Sequence, residues 1–208
     1  ITIPYDEAIR LWRGGEAVWS DNPKNAWPVW YNWITGTRHA ETIVRDSREL
    51  PEIKERIDGE NFEEVHFSFT LPYNADFPPE MILFFETQYE SKQPFVSMTW
   101  HTPDGREIRV GDQTPSRRDS FRFGQDTSLT RRLGGVKAEQ GLFADPNAEE
   151  LTPLSGEYRL DVEALLFEED SDIEAKLVVY GAVHGLAGTD HQRRDLMVAL
   201  LWGTPIAM

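Results

Sequence analysis

From Phe62 onward the hydrophobic pattern has a period of two, and this constrains the fold more than any other feature of the chain. Val65, Phe67, Phe69 and Leu71 alternate with His66, Ser68 and Thr70. Successive side chains of an extended backbone point to opposite faces, so this run predicts a strand with one buried face and one wet face. Residues 81–89 read as a second, more apolar strand and Phe95–His101 as a third, with Val96, Met98 and Trp100 on one side. Thr102, Pro103, Asp104 and Gly105 make a tight turn, because proline fixes φ and glycine accepts a positive one. That turn leads into a strand over 106–110. Further on, 158–167 keeps Tyr158, Leu160, Val162 and Ala164 in phase, and 173–180 returns.

Several strands punctuated by turns, with few helix signals inside 62–183, predict a mainly β chain. The expected fold is an immunoglobulin-like or related antiparallel β-sandwich over 62–183. A short helical, Trp-rich N-terminal arm and connecting segment precede it over 1–61, and a C-terminal helical segment follows over 184–208. The run Leu154-Ser155-Gly156-Glu157-Tyr158 resembles the tyrosine corner of Greek-key sandwiches, in which the phenol ties down the connection before a late strand.

The arm carries Trp12, Trp19, Trp27, Trp30 and Trp33. A short helix is expected over 5–12, ended by Gly14 and Gly15, with a turn at Asn22-Pro23 and a helical turn over 28–33. At a spacing of three, Trp30 and Trp33 share a helix face, and Trp27 joins them if the turn begins there. Three roles compete for these rings: packing in a core, an interfacial belt beside a bilayer, or a platform for sugar stacking. Residues 35–61 are polar and charge-rich, which predicts a solvated connection with one short helix.

A formal net charge of −15 over 208 residues argues against nucleic acid as a partner and against docking on anionic lipid. The absence of cysteine excludes disulfides, thiolate metal sites and thiol nucleophiles. The opening residues lack the basic and apolar regions of a secretory signal, and no apolar run is long enough to span a bilayer. Five histidines, His39, His66, His101, His184 and His191, show no metal-ligand spacing. There is no nucleophile elbow, phosphate loop or dinucleotide fingerprint. Catalysis has no positive feature here, so neither enzyme activity nor a cofactor or metal is expected. The acidic turn 168–172 lacks the glycine and ligand spacing of a calcium loop and reads as a solvated tip. Arg117, Arg118, Arg122, Arg131 and Arg132 are the one basic concentration, suited to an acidic partner or to pairing with neighbouring acids.

The last stretch begins as a polar turn in which Thr189 or Asp190 is placed to cap a helix from about His191 through Leu196 to Trp202. It also resembles the segment before the second membrane helix in C-type permease subunits of oligopeptide, dipeptide and nickel ABC importers. Gly188, Thr189, Asp190, Arg194 and Asp195 fall in register with that family's motif, followed by Leu200, Leu201, Trp202, Gly203, Thr204, Ile206 and Ala207. Ala187 and the early Leu186 depart from the pattern, as does Arg193, which replaces a glycine. Extended members of the family are similar at a second place, matched by Trp19, Asn22, Pro23, Lys24, Ala26, Pro28 and Trp30. The resemblance implies a non-catalytic extracytoplasmic domain at the cell membrane, between two membrane helices. Implied partners are a second permease subunit, cytoplasmic ATPase subunits and an extracytoplasmic substrate-binding protein. The face of Trp27, Trp30 and Trp33, or the arginines from Arg117 to Arg132, is then the expected contact surface. A secreted carbohydrate-binding or adhesion sandwich is the alternative.

Overall fold

The period-two runs do become strands, and the strands hydrogen-bond into two antiparallel sheets. A computed structural model describes residues 4–15, 18–58 and 62–203. Its strands are β1 (Ile43–Asp46), β2 (Lys54–Asp58), β3 (Glu63–Tyr73), β4 (Glu80–Gln88), β5 (Phe95–His101), β6 (Glu107–Gln113), β7 (Arg118–Arg122), β8 (Gly156–Leu166) and β9 (Asp172–Tyr180). One sheet has the order β1-β9-β4-β7 and the other β2-β3-β8-β5-β6. The chain falls into two compact units, Ile43–Val179 and a smaller one made of Ile1–Thr42 with Tyr180–Met208.

In the larger unit, alternation and register agree. Val65, Phe67, Phe69 and Leu71 of β3 lie opposite Ala164, Val162, Leu160 and Tyr158 of β8, and all eight are buried. On the other side of β8, Val162 and Leu160 meet Met98 and Trp100 of β5. Met81, Leu83 and Phe85 of β4 and Ile173, Ala175 and Leu177 of β9 supply the apolar face of the second sheet. The result is a β-sandwich whose core is the sum of these inner faces.

The tyrosine corner forms. The Tyr158 hydroxyl donates to the Leu154 carbonyl at 2.6 Å, with Phe143 O at 3.2 Å. Burial raises its pKa, so the proton that makes this bond stays on the phenol. Around it pack Phe143, Trp100 and Tyr73, and the Trp100 indole donates to Leu142 O at 3.0 Å.

Three strands depart from expectation. The solvated connection expected over 35–61 contributes β1 and β2, joined by a 3₁₀ turn at Pro51–Ile53, and the basic stretch contributes β7. β1, β2 and β7 are edge strands. A strand with one neighbour needs no clean hydrophobic alternation and is commonly armoured with charge. Here Lys54 pairs with Asp172 and Glu174, and Arg56 with Glu63 and Asp172. After β7 come α3 (Thr127–Arg132), capped by the Asp126 carboxylate on Leu129 N, and a short α4 (Ala138–Gly141).

The smaller unit is built from α1 (Tyr5–Arg13), α2 (Tyr31–Thr35), α5 (Leu196–Gly203) and the segments between them. The α1 helix stops at Gly14, and the Trp19 indole reaches back to its last turn, donating to Leu11 O at 2.9 Å. Among the described residues no helix is long and apolar enough to cross a membrane.

Candidate functional site

Residues 25–29 and 182–190 are hydrogen-bonded to each other. Trp27 N donates to Ala182 O, His184 N to Trp27 O, Val29 N to Gly185 O, Thr189 N to Ala26 O and Asn25 N to Asp190 O, all at 2.8–3.0 Å. Thr189 is the pin. Its hydroxyl accepts from Ala26 N at 2.9 Å, across 163 positions of sequence, and donates to Pro23 O at 2.7 Å. Gly188 has a φ of 75°, and a Cβ there would lie 2.3 Å from Ala26 O, so the close approach needs glycine.

Asp190 closes the next loop. Its carboxylate accepts from Gln192 N and Arg194 N at 2.9 Å each and from Arg194 Nε at 2.7 Å. Burial alone would raise its pKa, but the Arg194 side chain and these backbone donors outweigh burial and hold it below the usual carboxylate value. The Arg194 guanidinium also lies 4.0 Å from the centroid of Trp12. Arg193 adopts a φ of 65°, lies 4.1 Å from the Tyr180 ring and donates to Asn22 O at 2.6 Å, while Asn22 Nδ2 donates to Arg193 O.

This geometry corrects the expected helix start. A left-handed Arg193 cannot continue a helix, so α5 begins only at Leu196, and Asp195 rather than Thr189 or Asp190 meets its first turn, accepting from Met197 N at 2.8 Å. Trp202 sits near the end of α5 with its ring 5.4 Å from Tyr5, and Gly203 closes the helix. Thr204, Ile206 and Ala207 lie outside the described residues. The side chains of Thr189, Asp190, Arg194 and Asp195 all hydrogen-bond within this unit.

The tryptophans are on the surface. Trp27, Trp30 and Trp33 are 53%, 41% and 88% exposed. They do not line one helix: Trp27 precedes α2, in a bridge to Val183, and Trp30 is the residue before its first turn. Trp27 stacks on Tyr31 at 4.6 Å and 11°, and Tyr31 on His39 at 6.4 Å and 10°. The Trp30 indole donates to Leu186 O at 3.0 Å, which holds the exposed Leu186 beside it.

The arginines take up separate structural duties. Arg118 pairs with Glu86 at 3.3 Å and Arg122 with Glu80 at 3.1 Å, while Arg117 lies over Tyr89. Arg131 donates to Thr127 O and Arg132 to Val110 O. The acidic turn is likewise engaged. Glu168 accepts from the Ser91 hydroxyl and from the N–H groups of Glu90, Ser91 and Lys92, and Asp172 pairs with Lys54 and Arg56. Among the described residues no group of three or more His, Cys, Asp or Glu is placed to hold a metal.

One polar surface had no signature in the sequence: the outer face of the five-stranded sheet. There Asp161 on β8 accepts from Ser68 on β3 at 2.9 Å, meets His101 Nε2 on β5 at 2.9 Å and pairs with Arg159 at 3.0 Å. Beside it a depression of about 380 Å³ is lined by Ser97, Thr99, Glu107, Arg109 and Glu163. The Asp161 carboxylate stands between the two, taking the Ser68 hydroxyl on one oxygen and meeting the His101 imidazole with the other. His66 pairs with Glu64 and lies four positions along β3 from the level of His101, so the two imidazoles do not share a site.

No protein-family model matches the chain, and no curated protein matches it. Among solved structures, the carbohydrate-binding module TmCBM61 in complex with β-1,4-galactotriose aligns at 9% identity and a TM-score of 0.27, over 71% of this chain and 90% of that one. A second, from work on the promiscuous specificity of carbohydrate-binding modules of the β-sandwich superfamily, aligns at 8% identity and a TM-score of 0.28, over 77% of this chain and 62% of that one. Likenesses this distant carry no functional argument, and the sandwich rests on the two sheets themselves.

Proposed function

We propose that this chain is an extracytoplasmic domain of an ABC importer permease subunit of the oligopeptide and dipeptide type. It performs no chemistry and contacts the substrate-binding protein or the translocation entrance. One observation carries the reading. The stretches that resemble the family, Trp19 to Trp30 and Gly188 to Asp195, are far apart in sequence yet knit together through Thr189, Ala26 and Pro23. The sandwich, Ile43–Val179, is thereby an excursion between two neighbouring strands of chain. An external loop enlarged into a domain has its ends held close in the same way, which supports the reading. The exposed Trp27, Trp30 and Trp33 are the contact surface it offers.

The test is an epitope inserted in the parent protein at the exposed pair Glu149 and Glu150. The epitope should stain on intact cells, and the protein should remain in the membrane fraction after a high-salt wash. Recovery of the parent protein from the cytosol or the culture medium overturns the proposal.

A second reading, a secreted carbohydrate-binding or adhesion module, is favoured by the 88% exposure of Trp33. It expects glycan binding that Trp33→Ala abolishes. Against a long sugar platform, Trp27 and Tyr31 are stacked on each other, so each has one face already covered.

A further inference from the structure

Helix α5 has no polar face. Leu196, Met197, Val198, Ala199, Leu200, Leu201 and Trp202 follow one another, so hydrocarbon is presented in every direction around its axis. Val198 is buried, whereas Leu200 and Leu201 are 58% and 42% exposed. Helix α1 differs. Tyr5, Ala8, Ile9 and Trp12 share one side at spacings of three and four, and Asp6, Glu7, Arg10 and Arg13 bring two acids and two bases to the rest. Between the helices runs an open, largely apolar groove of about 380 Å³, lined by Tyr5, Ile9, Trp12 and Arg13 of α1 and by Val198, Ala199 and Trp202 of α5.

We propose that this groove docks on the lipid of a bilayer: α1 lies in the headgroup plane with its charged side to water, and an acyl chain enters between Ile9 and Trp202. A protein partner covers one side of a helix, but a helix that is apolar all round is matched by a solvent of hydrocarbon. Tyr5, Trp12 and Trp202 are the residue types that settle at the headgroup boundary, where an apolar ring and a polar edge are both satisfied. The α1 charges cancel and the chain is strongly acidic, so the lipid it fits is zwitterionic and the attraction is apolar. The inference stands on α1 and α5 alone and does not need the permease reading.

The experiment floats the full 208-residue chain with phosphatidylcholine vesicles and follows tryptophan emission with brominated phosphatidylcholine. The chain should float, its emission should shift to the blue and be quenched, and raising the salt to about 1 M, where the Debye length is about 3 Å, should change nothing. Ile9→Asp should weaken flotation at least tenfold. Trp12→Phe with Trp202→Phe keeps the groove apolar, so flotation should persist while quenching falls. The proposal is overturned if the chain stays in the buffer. A dimer in sedimentation that Ile9→Asp dissociates, without flotation, likewise overturns it, because the groove then takes a second copy. Undiminished quenching in the double phenylalanine variant overturns it too, since the lipid would then sit at other tryptophans.

Discussion

The two units solve the same problem in opposite ways. In the larger one the aromatic and aliphatic side chains turn inward, and the outside is laced with ion pairs such as Arg48 with Asp46 and Glu86. The smaller one is about half its length, yet nine of the fourteen large apolar side chains exposed among the described residues belong to it. Its order comes from a backbone weave, two cation–ring contacts and the Thr189 pin rather than from a deep core. The sandwich keeps its large apolar side chains in a full core, whereas the smaller unit leaves Trp33, Ile34 and Leu186 exposed. The contrast puts the deep core in one unit and most of the exposed apolar surface in the other.

The strongest test of that division is Trp100→Ala. Trp100 is fully buried among Phe143 and Tyr158, and its indole holds Leu142 O. Removing it should cost about 3–5 kcal/mol in urea unfolding followed by far-UV circular dichroism. If the units are energetically separate, hydrogen exchange at the amides of Val183, His184 and Thr189 stays slow in conditions where the sandwich amides are released. Parallel loss in both would break the comparison.

A smaller effect is expected at the pin of the other unit. Thr189→Val keeps the shape but leaves Ala26 N without its acceptor and Pro23 O without its donor in a buried place. The cost should be about 1–3 kcal/mol. It should appear as faster exchange at Ala26 and His184 with the urea midpoint of the sandwich unmoved. A shifted midpoint would mean that the sandwich depends on the weave after all.

What the sequence made legible follows the same divide. β3, β4, β5, β8 and β9 were readable because each has a buried face, and β6 because Pro103 to Gly105 announces the hairpin. β1, β2 and β7 were not, and all three are edges, where ion pairs replace the alternation that a reader looks for. In the smaller unit the helix at 5–13 and the turn at Gly14 were plain, but the pairing of 25–29 with 182–190 leaves no local periodicity. The late start of α5 was hidden because a left-handed Arg193 is invisible to propensity. Tryptophan's usual burial made a core one of three competing roles for Trp30 and Trp33, and their exposure emerges only once the backbone they ride on is known.

The smallest of the three effects compares two carboxylates, one in each unit, that are held acidic by hydrogen bonds. On the sandwich, the Ser91 hydroxyl, aided by the N–H groups of Glu90, Lys92 and Ser91, lowers the Glu168 pKa from 4.5 to about 2. In the smaller unit Asp190 is lowered by Arg194 and neighbouring backbone donors despite its burial. A depressed folded-state pKa means that the ionised form favours the fold, so the contribution of Glu168 is complete above its unfolded value and disappears as pH falls through about 2. Unfolding midpoints of Glu168→Gln and the parent chain should therefore differ at neutral pH, with the variant the weaker, and converge between about pH 4.5 and 2. The protection factors of the Gln192 and Arg194 amides, which rest on Asp190, should fall with acid in both proteins alike. If Glu168→Gln alters that second response, the units share their electrostatics, and the separation between them fails at the level of charge.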